Sequence, residues 1–278
     1  MSVESPETLH VLRRSVADLT ADVPGYSRLL VSFGVGSLDQ ALAGGLACGA
    51  LHEIGPAAPL QGVAATGFTI ALVARALRER GQAVWIQPDF TVTEAGALYG
   101  PGLDLMGLST ERLVILRVPR PRDALWAMEE ALKCRAVSVV VAEFSREEAD
   151  LTATRRLALA VRAGGGLGLI LHPNVCGSRL RSQPFCRHPS TATTRWEVAS
   201  ACGARDRFGG LGPPTFVLSL VKNRRGRAGQ WRLSWDHHER AFTTSLSLPV
   251  APPTRDGSYR KALLRDEPPR TQRRIRAG

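Results

Sequence analysis

One octapeptide of the chain has the spacing of a phosphate-binding loop but lacks that loop's cation. Residues 62–69, Gly-Val-Ala-Ala-Thr-Gly-Phe-Thr, match the pattern G-x-x-x-x-G-K-[ST] except that Phe68 stands in the lysine position. In a working loop, backbone N–H groups surround the phosphates, the lysine binds the β and γ oxygens, and the Ser or Thr hydroxyl holds magnesium. No Lys or Arg occurs between Arg28 and Arg75. We therefore expect a degenerate nucleotide site containing Gly62, Gly67, Phe68 and Thr69, with Phe68 packed as core.

The segments around this octapeptide alternate between predicted strands and helices. Residues 51–56 form a predicted strand that ends in a turn, and residues 69–78 form a predicted helix that stops at Gly81. Further apolar runs predict strands at 82–87, 113–116, 137–141 and 168–171, and helices near 94–99, at 121–134 and at 151–163. Continuous β-branched runs separated by helices are typical of a buried, mostly parallel sheet.

The pattern changes to closely spaced strands beyond Trp196. Strands are predicted at 196–201, 215–222 and 230–235, with a turn at 223–229. We expect these strands to extend the sheet in antiparallel fashion. The predicted fold class is therefore α/β, with an N-terminal helix and linker over residues 1–30 and a disordered basic tail over residues 249–278.

The order of elements between about residues 31 and 245 resembles the RecA-like ATPase core and, more narrowly, the ImuA family of translesion-synthesis proteins. The resemblance implies a RecA-like domain with a degenerate phosphate loop over residues 31–248. The stretches that carry it are Gly-Ser-Leu-Asp-Gln-Ala-Leu-Ala-Gly-Gly-Leu at 36–46, Gly-Ala-Leu-His-Glu-Ile at 49–54, Thr-Gly-Phe at 66–68, and Val-Lys-Asn-Arg-Arg-Gly at 221–226 followed by 231–236.

The remaining positions that RecA-like ATPases use in catalysis also depart from the pattern. The strand at 137–141 should end in an Asp that orients magnesium, but its carboxylate, Glu143, comes one residue late and points to the opposite face. The catalytic carboxylate after the second strand is represented by the shorter Asp89, and the γ-phosphate sensor by the region 172–174. We interpret Asp89 and Glu143 as strand-end carboxylates on loops. We expect no ATPase activity and no cofactor.

Composition indicates a globular protein of the cytoplasm. No apolar run is long enough to span a bilayer, and charges occur throughout residues 1–21, so neither a membrane helix nor a signal peptide is predicted. The five cysteines include no C-x-x-C pair, which argues against a disulfide framework. His172, Cys176, Cys186 and His188 could be assembled into a zinc site, but their spacing matches no common module, and we expect no metal.

The positive charge is concentrated in two regions, residues 176–232 and residues 249–278. The formal net charge is +11, and residues 176–232 carry many basic side chains against only Glu197 and Asp206. Such a distribution is typical of a surface for nucleic acid or an acidic partner, although an arginine bias also arises from genome composition. In RecA-like recombinases the loop corresponding to residues 174–194 contacts DNA. The residues expected to contact DNA are Arg179, Arg181, Arg187, Arg195, Lys222, Arg224, Arg225 and Arg227.

Both ends of the chain have the character of attachment segments. Ser5 and Pro6 open a predicted helix, which is too short to be stable alone and must dock on its own core, a second copy or a partner. The tail from Pro249 mixes prolines with arginines and is expected to order only on binding. The residues expected to bind partners are Leu9, Leu12, Val16 and Leu19 in the helix, and Arg270, Arg273, Arg274 and Arg276 in the tail.

These features together predict a non-catalytic binding protein. The resemblance to ImuA implies an accessory of translesion synthesis that is induced in the SOS response to DNA damage. It would act in a mutasome with an ImuB-like polymerase-related protein and an error-prone C-family DNA polymerase, with DNA and RecA as further contacts. Two alternatives remain open: an active RecA-like ATPase or recombinase with an atypical site, and a SulA-like cell-division inhibitor, which would not need an arginine-rich loop and tail.

Overall fold

A computed structural model describes residues 29–77, 81–144, 148–173, 189–203, 210 and 212–244. The chain divides into two compact units, Met1–Ser245 and Leu246–Gly278, of which the second lies outside the described residues. The division falls close to the predicted start of the tail at residue 249.

Nine strands of the described chain form one sheet, and a separate antiparallel pair lies beside it. The short pair consists of β1 (Leu30–Val31) and β2 (Leu46–Ala47). The strands of the large sheet are β3 (Ala50–Pro56), β4 (Gln82–Pro88), β5 (Leu113–Val118), β6 (Val137–Glu143), β7 (Leu167–Leu171), β8 (Thr194–Ala201), β9 (Thr215–Asn223), β10 (Gly229–Asp236) and β11 (Ala241–Thr244).

The large sheet has a parallel half and an antiparallel half, as predicted. Its order is β11-β10-β9-β8-β3-β7-β6-β4-β5. All pairings from β8 to β5 are parallel, and those joining β8, β9, β10 and β11 are antiparallel. The predicted fold class is confirmed: the protein has a RecA-like α/β fold, with a mostly parallel sheet extended by antiparallel strands.

Six helices and one short 3-10 turn, Thr110–Arg112, accompany the sheet in the described residues. Local sequence explains several of their ends. The last long helix begins after Asp150, whose carboxylate accepts a hydrogen bond from the Ala153 N–H at 2.7 Å, and it ends at Gly165 in the left-handed conformation. The helices are α1 (Gly36–Ala41), α2 (Gly62–Ala76), α3 (Asp89–Ala95), α4 (Gly100–Leu105), α5 (Pro121–Lys133) and α6 (Leu151–Gly164).

Helices cover both faces of the parallel half of the sheet, as such a sheet requires. On one face, α2 packs its buried residues into a core that includes Trp85, Leu169 and Trp196. On the other face, α5 and α6 pack against residues that include Ile86 and Val140. The sheet therefore holds the start of α2 and the carboxyl ends of the parallel strands at one edge, where ligands bind in open α/β folds.

Two local predictions are wrong, and one strand was not predicted. Helix α2 begins at Gly62, although the sequence predicted its start at Thr69. The helix predicted near 94–99 is replaced by α3 and α4, because α3 starts directly after Pro88 and ends before Gly96, which has a φ of +90°. Strand β11 was not predicted, since it is only four residues long and follows immediately on a turn.

Candidate functional site

The octapeptide that resembles a phosphate-binding loop forms the first two turns of α2. Strand β3 ends at Pro56 and α2 starts at Gly62, so only residues 57–61 connect them. The prediction of a loop is therefore wrong for Gly62–Thr69. The alanines between the two glycines favour a helix, and Gln61, directly before α2, is tied to β8: its Oε1 atom accepts hydrogen bonds from the Ser200 N–H at 2.8 Å and the Ser200 hydroxyl at 2.9 Å.

Phe68 is a core residue, as expected. It has no exposed surface, and its ring lies among those of Phe33, Trp196, Phe216 and Phe242, with centroid separations of 5.7–6.3 Å. An aromatic cluster of this kind offers neither room nor charge compensation for a lysine ammonium. The position that should bind phosphate oxygens instead stabilises the contact between α2 and the sheet.

The hydroxyl that would hold magnesium is also committed to the helix. Thr69 is fully buried, and its Oγ1 atom donates a hydrogen bond to the Ala65 carbonyl at 2.8 Å. Gly67 faces the Phe216 ring, which a Cβ atom would meet at an ordinary contact distance of 3.6 Å. The glycine spacing therefore does not reflect a backbone that wraps around a ligand.

Glu143 is buried rather than placed on a loop, so our interpretation of this carboxylate is wrong. It is the last residue of β6, which runs beyond the predicted 137–141, and it is only 3% exposed. Its Oε1 atom accepts hydrogen bonds from Trp85 Nε1 at 2.8 Å and Gln87 Nε2 at 2.9 Å. Burial raises the pKa of the Glu143 carboxyl to about 6, although the two hydrogen bonds act in the opposite direction.

Asp89 lies at the same edge of the sheet but in a different environment, and the interpretation that it lies on a loop is wrong as well. It is the first residue of α3, directly after β4, and its exposed carboxylate is 3.2 Å from Arg117 Nη2. An exposed ion pair of this kind contributes little to stability. Strands β4 and β6 are neighbours, so the carboxylates that follow them share an edge with the start of α2, but the residues from 29 to 74 add no lysine or arginine there.

Arg195 is not available to DNA, so the prediction for this residue is wrong. It lies in β8, between β3 and β9, and is 2% exposed. Its Nε atom donates a hydrogen bond to Glu53 Oε2 at 2.6 Å, and the carboxylate is buried as well. Because strand residues alternate between faces, a basic residue in a sheet interior requires such a partner.

The hairpin between β9 and β10 holds the other predicted DNA-contacting residues of the described chain. The end of β9 pairs with the start of β8, so the hairpin lies at the amino edge of the parallel strands, opposite the start of α2. Lys222 is half-buried, its Nζ atom donates to the Ser190 carbonyl at 2.7 Å, and burial lowers the pKa of its ammonium group to about 8. Arg224 and Arg227 are exposed.

Arg225 anchors the hairpin to the segment that connects α1 and β2. Its guanidinium donates hydrogen bonds to the carbonyls of Gly45 at 3.2 Å and Ala43 at 3.3 Å. Asn223 Nδ2 donates to the Ala41 carbonyl at 2.8 Å. Arg225 therefore has a structural role in the hairpin, and the most exposed charge of the hairpin belongs to Arg224 and Arg227.

Comparison with known proteins gives a clear relationship. The chain is 36% identical over 211 residues to Protein ImuA of Caulobacter vibrioides strain NA1000/CB15N, in a match that covers 73% of this chain and 82% of the relative. Protein ImuA of C. vibrioides strain CB 15 matches to the same extent. The chain belongs to the ImuA family. No family model matches the chain.

Several predicted sites of this ImuA-family chain lie outside the described residues. Of the four residues considered for a zinc site, His172 lies within the described residues. It is buried, and its Nδ1 atom donates a hydrogen bond to the Phe144 carbonyl at 3.0 Å. The described residues contain no cluster of His, Cys, Asp or Glu that could hold a metal, and no helix among them is long and apolar enough to cross a membrane. Outside the described residues lie Leu9, Leu12, Val16, Leu19, Cys176, Arg179, Arg181, Cys186, Arg187, His188, Arg270, Arg273, Arg274 and Arg276.

One feature of this ImuA-family chain escaped prediction. Strand β5 was expected within a buried sheet, yet it forms the edge and exposes Val114, Ile115 and Leu116. The continuous apolar run at residues 113–116 is typical of a buried strand, so the local sequence does not indicate that β5 lies at the edge of the sheet. The order of strands, which decides this exposure, depends on packing between distant segments.

Proposed function

We propose that this ImuA-family protein is a non-catalytic accessory of DNA-damage-induced translesion synthesis, in which the RecA-like domain acts as a binding scaffold. The observation that carries the proposal is the packed helix at Gly62–Thr69, with Phe68 enclosed by aromatic rings. Family membership supports the biological setting. The geometry supports the absence of nucleotide chemistry.

Both the short connection between β3 and α2 and the missing lysine disfavour ATP binding. The connection from β3 to α2 has only residues 57–61, and its surroundings are apolar, with Leu60 88% and Val63 85% exposed. Charge-assisted hydrogen bonds to phosphate contribute roughly 1.5–3 kcal/mol each, so the loss of the lysine alone lowers affinity by one to two orders of magnitude. Glu143, at the edge where magnesium would bind, is already hydrogen-bonded within the core.

The test is a titration of the full-length protein with a fluorescent ATP analogue and magnesium, together with a hydrolysis assay with and without single-stranded DNA. We expect neither micromolar binding nor DNA-stimulated turnover. A bound nucleotide with micromolar affinity, or turnover above the level of a buffer control, would support the active ATPase instead. Tryptophan fluorescence on the same samples verifies that the domain is folded.

Sequence-independent DNA contact is the second part of the proposal. Arg224 and Arg227 provide exposed charge on the hairpin, and Arg179, Arg181 and Arg187 belong to the segment between β7 and β8. On single strands each neutralised phosphate contributes about 0.7 to the slope of log affinity against log salt. Removing the two hairpin arginines should therefore flatten this slope by about 1.4 at most.

The DNA experiment uses matched variants of the full chain. Arg224→Ser with Arg227→Ser tests the hairpin, and replacement of Arg179, Arg181 and Arg187 by Ser tests the preceding segment. Removal of the exposed Arg122 and Arg155 from α5 and α6 is the control for the hairpin variant, because it also removes two positive charges, but at another surface. Equal slopes for all variants would exclude a DNA contact at the hairpin and at Arg179, Arg181 and Arg187, and would move the contact to the tail or remove it.

Binding to the polymerase machinery is the third part. The family resemblance implies an ImuB-like partner, an error-prone C-family polymerase and RecA. The predicted N-terminal helix, with Leu9, Leu12, Val16 and Leu19, and the basic tail are the proposed attachment segments. Affinity purification from DNA-damaged cells, with the full chain and with a chain ending at residue 248, tests this assignment. Recovery of cell-division proteins instead of polymerase components would favour the SulA-like alternative.

A further inference from the structure

The edge strand β5 exposes apolar side chains on both of its faces. Val114 is 56%, Ile115 42% and Leu116 40% exposed. In the described structure β5 pairs only with β4, so its other edge carries unpaired backbone N–H and C=O groups. Val114 and Leu116 share a face with Val84 and Ile86 of β4, whereas Ile115 shares the opposite face with Trp85.

An apolar edge of this kind is unusual, because soluble proteins usually protect the edges of their sheets. The opposite edge of this sheet illustrates such protection: β11 has only four residues, and its last two are the exposed threonines 243 and 244. Strand β5 has six residues, no proline, glycine or lysine within it, and a single charged side chain, Arg117. Its chemistry therefore fits an added strand that is also apolar on both faces.

We propose that β5 pairs antiparallel with β5 of a second copy of this chain, so that the two sheets become continuous across a two-fold axis. The strand is complementary to itself when Ile115 lies opposite Ile115 of the second copy. Val114 then lies opposite Leu116 of the second copy, with both side chains on the face covered by α5. Directly opposite residues in antiparallel strands have Cβ atoms about 4.5–5.5 Å apart, so these apolar pairs come into contact.

Charge at the two ends of the strand favours a second copy in this orientation. Glu111 is exposed just before β5, and Arg117, which also forms the exposed ion pair with Asp89, is exposed near its end. Antiparallel pairing brings Arg117 opposite Leu113 of the second copy, with Glu111 of the second copy at the diagonal position, within reach of long side chains. A parallel arrangement would instead bring like charges together.

The contact is small, and this determines how it must be measured. Two six-residue strands bury less surface than a stable interface of about 1,200–2,000 Å². The dimer should therefore be weak and reversible. Analytical ultracentrifugation of the full-length protein between about 1 and about 200 μM covers the expected range of affinity.

We expect a concentration-dependent monomer–dimer equilibrium that Ile115→Lys weakens at least about tenfold, because the two-fold axis places both lysines opposite each other. Leu159→Lys is the matched control, since Leu159 is an exposed apolar residue of α6, 63% exposed, and its replacement should leave the equilibrium unchanged. Circular dichroism verifies that both variants fold.

Cross-linking gives a second measurement that does not depend on a destabilised variant. In a background with the exposed Cys134 and Cys202 replaced by Ser, Ile115→Cys should form a disulfide-linked dimer under mild oxidation, and Val63→Cys and the parent protein, treated identically, should not. If the protein stays monomeric over the whole concentration range, the proposal is wrong, even if a different protein binds to the edge of β5. A dimer that Ile115→Lys leaves intact, without selective cross-linking at position 115, overturns it as well.

Discussion

Replacing Phe68 distinguishes a core residue from a degenerate phosphate-site residue. Phe68→Lys restores the lysine of the sequence pattern, and Phe68→Ala removes the ring without adding charge. If the octapeptide were a loop at a nucleotide site, the lysine would be tolerated and would improve phosphate binding. Because the structure places the side chain in a fully buried aromatic cluster, we expect both variants to be destabilised and neither to bind ATP.

The expected loss of stability follows from the burial of Phe68. Truncation of a buried phenylalanine to alanine lowers the free energy of unfolding by about 3–5 kcal/mol, out of the roughly 5–15 kcal/mol of a typical domain. For a domain of this size, each 1 kcal/mol corresponds to about 2–4 °C, so Phe68→Ala should melt about 6–20 °C lower. Phe68→Lys should be at least as unstable, because the surrounding rings provide no counter-charge.

Urea unfolding followed by tryptophan fluorescence measures both variants, since Trp196 lies beside Phe68. Val63→Lys is the control: it introduces the same side chain in the first turn of the same helix, at a residue that is 85% exposed, and should change stability by no more than about 1 kcal/mol. If Phe68→Lys were as stable as the wild type, or gained micromolar ATP binding, a helix starting at Gly62 with Phe68 in the core would be wrong.

Three further predictions concern the other polar residues of the domain. Arg195→Met should lower the free energy of unfolding by about 3–5 kcal/mol in urea because it leaves Glu53 buried without its partner, and adding Glu53→Gln should recover most of the loss. Burial raises the pKa of Glu143 from 4.5 to about 6. The contribution of this carboxyl to stability is therefore complete below pH 4.5 and is lost as the pH rises through 6. In urea titrations between pH 4.5 and 7, the free energy of unfolding of Glu143→Gln should rise by about 2 kcal/mol relative to that of the wild type. Arg225→Ala and Asn223→Ala should each cost about 1 kcal/mol in thermal melts, and the salt dependence of DNA binding should not change.

The sequence predicts the strands of this fold better than the boundaries of its helices. Residues Val139–Ala142 of β6 and the whole of β7 are apolar, and such runs occur where a parallel sheet is covered on both faces, whereas β3 also contains the buried polar residues His52 and Glu53. The start of α2 was misplaced because two glycines with loop-like spacing outweighed the alanines between them. The aromatic cluster that draws Phe68 into the core joins residues from 33 to 242, and no local pattern contains that information.

The basic residues show why charge counted along a chain does not measure charge at a surface. Arg195 and Glu53 are separated by 142 positions, so nothing in the sequence around Arg195 distinguishes it from an exposed arginine. Lys222 is half-buried and Arg225 is hydrogen-bonded to backbone carbonyls, whereas Arg224 lies between them in sequence and is exposed. The exposure of these basic side chains depends on three features of the fold. They are the alternation of side chains along a strand, the pairing of distant strands, and the attachment of the hairpin to the α1–β2 connection. In the part of the chain that the structure describes, the same packing leaves β5 paired on one side only, so this exposed apolar edge is determined by the order of strands and not by the composition of the segment.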